Sequence, residues 1–501
     1  MVLNILFERE SRSLIALAMS RATHAVFNQS KAFINKNLFK SDPALQRVVK
    51  KLIVPLDHLN NIGLVNGSAV MMNHAELAEK NVPVLRQYDA YGRRIDVVDY
   101  HPSYHALMKQ GLESGAASYG FNNNAKPGSH IVRAALIYMQ NQLEPGHCCP
   151  IVMTSAAVPV IRKNSSLHLT EKLCAQNYDP RDVPISEKSS ITMGMSMTEK
   201  QGGSDVRANT TVAQFETSSP SGHKAFLLKG HKWFTSAPMS DAFLTLAKTR
   251  VDAPPSCFLV PRWRFDGTRN SGFKVMRLKQ KCGDRSNASS EVEYDGAWGL
   301  LLGEESRGVK TIIEMVNCTR MDCTLGAAGG SRKALMLALN HAASRNAFGA
   351  SLNAHPLMQN VLTDLCVEAE AHTLTAFHMA QLFSDFESKV ISGGSDCDRA
   401  GELFRTAVSV AKYYVTKRQP NFVYECMEIM GGNGYVQDFQ MESLFRQSPL
   451  NSIWEGSGNV MALDVLRAYK SLPLLLDSIA EPKGVDSSFD NYMKVIQKFL
   501  C

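Results

Sequence analysis

Asn451-Ser452-Ile453-Trp454-Glu455-Gly456-Ser457-Gly458-Asn459 sets one acid beside an indole and small residues, just ahead of an amphipathic segment from Val460 to Leu472. A carboxylate next to Trp454, and next to backbone that Gly456 and Gly458 leave open, is partly withdrawn from water. Its pKa then rises toward the range where it can take a proton from carbon. An acid ahead of a helix is ordinarily a first-turn charge facing the macrodipole. The stretch therefore takes its meaning from the rest of the chain.

At 501 residues the chain exceeds what one hydrophobic core fills, and at 45% apolar it has material for two or more units. A net charge of +7 over this length, with no long Lys/Arg run, gives no electrostatic footprint for nucleic acid. The eleven cysteines are scattered, with Cys148 and Cys149 adjacent and no C-x-x-C pair, which argues against a disulfide framework or structural zinc and fits a reducing compartment. His101 and His105 stand four apart near Asp96 and Asp99, but no further ligand pattern joins them, and no metal is expected. No apolar stretch approaches the roughly 18 residues of a membrane span. Arg9, Ser11, Arg12, Ser13, Ser20 and Arg21 resemble a mitochondrial presequence, whereas Glu8 and Glu10 run against one, so cytosol and mitochondrion both stay open.

After an N-terminal extension (1–42), the pattern from about Pro43 to Ile161 is mostly helical, as in the three-and-four spacing of Ala134 to Leu143, and predicts a helical domain over 43–189. Short β-like runs follow at Thr210–Glu216, Lys224–Lys229, Ala242–Ala247 and Cys257–Val260, predicting a central β domain over 190–303. Helical patterns return at Val309–Val316, Lys333–Ala342, Pro356–Glu387 and Arg399–Lys417, predicting a helical unit over 304–472 and a tail over 473–501.

Met197-Thr198-Glu199-Lys200-Gln201-Gly202-Gly203-Ser204-Asp205-Val206 joins two β-like runs; its glycines and serine would let backbone amides approach a phosphate or flat ring, though such residues also dominate plain turns. In Gly230-His231-Lys232-Trp233-Phe234-Thr235-Ser236 an aromatic face and a hydroxyl fall two apart on one side of a pleat, where they could flank and hydrogen-bond a ring, or simply pack. Arg345-Asn346-Ala347-Phe348-Gly349 and Met430-Gly431-Gly432-Asn433-Gly434-Tyr435 each close a helix, which glycines commonly do. The second follows a helix, not a strand, and so is not a Rossmann phosphate turn.

In order and spacing, T-E-x-x-G-G-S-D, K-W-F-T, R-x-x-F-G, G-G-N-G-Y and I-W-E-G-S-G-N resemble the acyl-CoA dehydrogenase family. Arg86 to Arg94, His101-Pro102, Thr198 to Asp205 and Asn451 to Asn459 resemble its AidB-like branch, with the resemblance running from about Thr23 to the C-terminal end. It implies an α+β fold: an N-terminal helical domain, a central β-sheet domain and a C-terminal four-helix bundle around FAD. It implies that Met197, Thr198, Trp233 and Thr235 surround the isoalloxazine ring, that Gly203 and Ser204 lie beside the phosphates, and that Arg345, Phe348, Gly431 and Gly432 reach the cofactor of a neighbouring subunit in a dimer, usually paired into a tetramer. Ser204, Asn317, Arg320 and Gly456 are implied substrate contacts and Glu455 the base.

The implied reaction is α,β-dehydrogenation of an acyl-CoA thioester, with Glu455 taking the α-proton and a hydride passing to flavin N5. The electron-transfer partner and the acyl chain length stay unassigned. The alternative on the same scaffold is a flavoprotein that sequesters or senses acyl-CoA without turnover; a third, by analogy with the branch, is a DNA-associated alkylation-response flavoprotein. Members of the branch carry a C-terminal helical domain associated with DNA; here the chain stops at Cys501 with a charge-balanced tail, and DNA binding is not expected. Pro356, Glu428, Asn317 and Ser457 depart from the family's commoner residues and bear on CoA affinity more than on flavin binding.

Overall fold

The computed structural model describes residues 25–50, 55–124, 126–164, 167–218, 222–393, 396–479 and 484–500; the basic, serine-bearing stretch ahead of residue 25 lies outside it. The N-terminal layer holds α1 (Pro43–Lys50), α2 (Leu56–Asn66), α3 (Ala69–Lys80), α4 (Pro102–Glu113), α5 (Ser129–Leu143) and α6 (Cys148–Asn164). Local chemistry starts them: the Ser68 hydroxyl accepts from the Met71 amide at the head of α3, and Pro102 opens α4 behind His101, whose ring accepts from the Ser103 amide. Every residue of α5 is buried, so this helix is a core element with no solvent face. One insertion departs from the helical expectation: an antiparallel hairpin of β1 (Val84–Tyr88) and β2 (Arg94–Asp99) turns at Gly92, where φ is +79°.

The central sheet comprises β3 (Met193–Ser196), β4 (Val212–Ser218), β5 (Lys224–Ser236), β6 (Ala242–Ala247), β7 (Ser256–Pro261), β8 (Phe273–Leu278) and β9 (Ser289–Leu302) in the order β3-β6-β7-β9-β5-β4, with β8 also on β9. Among the described residues β3–β6 is the one parallel strand pair, beside an isolated parallel bridge between Val212 and Lys248. The Ala213 amide donates to Lys248 O (2.8 Å) and the Lys248 amide to Thr211 O (2.9 Å), which curls β4 back to the end of β6. β6 and β7 are buried throughout, which is why both read as unbroken apolar runs.

The two helical patterns at Val309–Val316 and Lys333–Ala342 are one helix, α7 (Gly308–Ser344). It packs against α8 (Pro356–Ser392), α9 (Cys397–Met430), α5 and α6. Small residues permit this: a Cβ on Gly329 would stand 2.6 Å from the Tyr138 carbonyl oxygen of α5. The fourth member of the bundle is broken into α10 (Met441–Gln447), α11 (Gly458–Arg467) and α12 (Leu472–Ser478), with α13 (Ser487–Leu500) beyond. The segment expected to run unbroken from Val460 to Leu472 instead ends at Arg467 and tightens into a 3-10 turn at Tyr469–Ser471.

Among the ion pairs that tie the N-terminal layer to the bundle, one is buried on both sides. Arg133 of α5 donates from both terminal nitrogens to the Asp322 carboxylate of α7 at 2.6 and 2.8 Å, with the side chains 2% and 1% exposed. Such pairs are weak as net stabilisers but costly to break from one side. Asp322→Ala should lower stability by about 3–5 kcal/mol, read as a fall in the urea midpoint. Arg133→Met with Asp322→Leu should recover most of it, and a single variant at the wild-type midpoint would refute the role.

Candidate active site

Glu455 lies in the turn between a single helical turn at Leu450–Ile453 and α11, with φ +55°, a left-handed conformation that costs a non-glycine residue on the order of 1 kcal/mol or more. Gly456 follows at φ +100°, and a Cβ there would meet Met461 Cε at 2.5 Å. Two cations hold this turn. Arg320 Nε of α7 donates to the Glu455 carbonyl at 3.0 Å, and Lys412 Nζ of α9 donates to the Gly456 carbonyl at 2.8 Å. Arg320 is fixed in turn by Asp464 of α11 at 2.8 Å, and Asp464 also takes Arg405 at 3.0 Å and the Ser409 hydroxyl at 3.2 Å.

The Glu455 side chain takes a hydrogen bond from the Thr319 hydroxyl at 2.6 Å. The residue is half-buried, and protein packs densely around the carboxyl group. That desolvation pushes its pKa above the ordinary glutamate value, against the lowering influence of Thr319, Lys412 and Arg320. The thiols of Cys149 and Cys323 are neighbours of the same carboxylate and are themselves pushed up by burial, so they stay protonated beside it. Trp454 is pinned by its Nε1 on Asn451 Oδ1 at 3.0 Å.

Across Cys149, which also contacts Ser236, lies the end of β5. There the β5/β9 register slips between Lys232 and Thr235, leaving Trp233 and Phe234 outside the ladder. Trp233 is half-buried with Lys279 Nζ 3.2 Å from its ring centroid, and its amide donates to Thr198 O at 2.7 Å. Thr235 does not share its face as the pleat predicts: its side chain is fully buried and its hydroxyl is bonded to that of Ser196 at 2.5 Å. Met197 and Thr198 are half-buried at the end of β3. The following loop is anchored by Glu199, buried with Lys232 at 2.9 Å and bonded to Thr210 and Thr211, and its Glu199–Gly202 turn leaves the amides of Gly203 and Ser204 without a hydrogen-bond acceptor among the described residues. Asp205 in this loop is held low by hydrogen bonds from Arg207 and, more weakly, by the charge of Arg467 on α11.

Asn317, Arg320 and Gly456 thus gather at Glu455, while Met197, Thr198, Gly203, Ser204 and Trp233 group with one another where β3 and β5 end. The second group stands apart. Arg345 caps the far end of α7, roughly 38 Å along the axis from Arg320 at ~1.5 Å per residue. Phe348 is 97% exposed, and nothing lies within 4 Å of a Cβ built on Gly431 or Gly432. The segment at residues 28–31 ties this group together: Asn28 bonds both the amide and carbonyl of Asn346, the Asn28 carbonyl accepts from Arg345 Nη1 at 2.9 Å, and Gln29 accepts from Asn433.

Lys412, Asp464 and Arg405 lie outside the motifs, and Thr319, between the motif residues Asn317 and Arg320, bonds the Glu455 carboxylate. The signal was present: Lys412 interrupts the apolar spacing Val408, Ala411, Val415, and Asp464 shares the inner face of α11 with Met461. The aspartates and histidines at 96–105 are engaged by protein: Arg94 and Arg86 take Asp96 and Asp99, His101 caps α4, and His105 bonds the Tyr178 hydroxyl at 2.7 Å. Among the described residues no helix is long and apolar enough to cross a membrane.

Residues 28–180 match the adaptive response protein AidB N-terminal domain, 194–297 the acyl-CoA dehydrogenase middle domain and 306–470 the acyl-CoA dehydrogenase C-terminal domain. AidB of Escherichia coli (strain K12) is 40% identical over 490 residues, covering 95% of this chain and 87% of its own. The apo form of Bd2924 superposes with a TM-score of 0.84 at 30% identity, covering 94% of this chain and 93% of its own. Caenorhabditis elegans ACDH-11 in complex with C11-CoA does so with a TM-score of 0.84 at 27% identity, covering 96% of this chain and 84% of its own. The order of domains, the turn that carries Glu455 and these likenesses agree: the chain belongs to the acyl-CoA dehydrogenase family, in its AidB-like branch.

Proposed function

We propose that the chain catalyses α,β-dehydrogenation of an acyl-CoA thioester with Glu455 as the base. The observation that carries this reading is the Glu455 turn: a desolvated carboxylate on a half-buried residue in a strained backbone conformation, clamped by Arg320 and Lys412. That ACDH-11 is seen with C11-CoA supports acyl-CoA as the substrate class.

FAD is the cofactor of this family, and the residues present fit it. Trp233 stands on a bulge with one face held by Lys279, Met197 and Thr198 offer a half-buried edge, and the amides of Gly203 and Ser204 are free for phosphate oxygens. Bound there, FAD supplies the two-electron acceptor for the hydride that leaves Cβ. The chain supplies the rest. Glu455 receives the α-proton, and its raised pKa makes it a stronger base than a solvated glutamate. The Glu455 amide donates to the thioester oxygen and stabilises the charge that develops there. Asn317, Arg320 and Gly456 border the path of the CoA chain, and Thr319 orients the carboxylate.

We infer further that a second copy completes the cofactor site. Arg345 at the end of α7 lies too far along that helix from Arg320 to serve the Glu455 of its own chain, the strap at Asn28 and Gln29 ties it to the loop after α9 that carries Gly431 and Gly432, and Phe348 presents an uncovered ring. The arrangement calls for a homodimer, and pairing of dimers accords with the family.

Glu455→Gln should lower kcat by roughly 10³- to 10⁴-fold while the FAD content of the purified protein stays at the wild-type value; a variant that retains full turnover would end the assignment, and one that still binds acyl-CoA tightly with wild-type turnover already absent would favour sequestration. Because the base must be ionised and its pKa is raised, activity should fall as pH drops through a limb above the ordinary glutamate range, and that limb should vanish in Glu455→Gln. Arg345→Ala should purify with a reduced FAD-to-chain ratio and unchanged circular dichroism; full FAD retention by a protein that sediments as a monomer would contradict the shared site.

A further inference from the structure

A cleft of about 140 Å³ lies between α3, the Asn141–Pro145 end of α5, Lys333 of α7 and the Gln437–Gln447 segment that contains α10. It is separate from the Glu455 centre, since Lys333 stands roughly 20 Å along α7 from Arg320 at ~1.5 Å per residue. Exposed Glu76 and Lys80, paired with each other at 2.6 Å, stand at its mouth. Its floor includes Lys333, 2% exposed, and Gln142, 3% exposed.

The floor has donors without acceptors. Lys333 Nζ meets no oxygen of the described chain; its neighbours are Met72 Sδ at 3.5 Å and the Phe33 ring, 5.3 Å to the centroid. Gln142 Nε2 is buried with no hydrogen-bond partner. The acids around them are already engaged. Glu144 accepts from the amides of Gly146 and His147 and from the Ser286 hydroxyl, Glu79 accepts from the Arg285 amide and Arg446, and Glu442 also holds Arg446. Burial pulls the Lys333 ammonium down to about 8, so it still carries its charge at neutral pH. A buried ammonium and a buried amide N–H are both unfavourable until an acceptor reaches them.

We propose that this cleft binds a small carboxylate whose oxygens accept from Lys333 and Gln142. The volume equals that of between about four and five waters at ~30 Å³ each, enough for an acid of a few carbons and too little for a long chain. A single negative charge suits it, because Lys80, Arg285 and Arg446 of the lining are set against Glu76, Glu79, Glu144 and Glu442, and Lys333 is the cation among them that meets no carboxylate of the described chain. An occupant would bridge α3 to α10, the element just ahead of the Glu455 turn.

The test is to titrate the FAD-loaded protein with acetate, propionate, butyrate and inorganic phosphate at constant ionic strength, following heat and the thermal unfolding midpoint. A carboxylate should bind saturably and raise Tm. Its affinity should fall at least tenfold in Lys333→Met and in Gln142→Leu, and stay unchanged in Glu455→Gln, which separates this cleft from the acyl site. Without carboxylate, Lys333→Met should unfold at or above the wild-type temperature, since an apolar chain replaces an unpaired buried charge. If that variant does not fold, Gln142→Leu carries the comparison. Equal binding by wild type and the cleft variants, preference for phosphate, or no saturable binding, as for a cleft that holds water alone, would overturn the proposal.

Discussion

The structure turns on how two cations grip two carbonyls. Arg320 from α7 and Lys412 from α9 bond the carbonyl oxygens of Glu455 and Gly456, both of which sit at positive φ. A free chain would relax such a turn, because a left-handed glutamate is unfavourable by on the order of 1 kcal/mol or more. The bundle prevents this, with Asp464 fixing Arg320 from the far side. A carboxyl group aimed by buried ion pairs on three helices is a group whose direction matters, and packing alone would not ask for that.

The same bundle explains why the site divides. α7 carries Thr319 and Arg320 at one place and Arg345 at its end, and a helix cannot bend back over roughly 38 Å. The residues at each end are tied by their own networks, Glu455 by Arg320 and Lys412, Arg345 and Asn433 by the strap at Asn28 and Gln29. In the dimer we propose, the far end of the rod in one copy would meet the Glu455 cluster of the other.

Much of this was legible in the sequence, and the limits have physical causes. β6 was read to the residue because a strand buried on both faces is a bounded apolar run. The acid at 455 announced itself through Trp454 and the glycines around it. The β1–β2 hairpin is hidden inside a helical region because β1 buries no residue fully, β2 buries only Asp96 and Val98, and both strands carry charges. The slip at Trp233 was hidden too, since a bulge depends on the partner strand, which local spacing does not report. Lys412 and Asp464 were missed for a related reason: a charge on an apolar face is meaningful only once the carbonyl or guanidinium it meets is known.

The most direct measurement of the central claim is anaerobic. Purified protein with FAD bound is mixed with acyl-CoAs of graded chain length while the flavin absorbance near its visible maximum is followed. A base at Glu455 facing the thioester α-carbon predicts rapid bleaching by at least one chain length. FAD that stays fully oxidised across the whole series, in protein that demonstrably binds those thioesters, would contradict it.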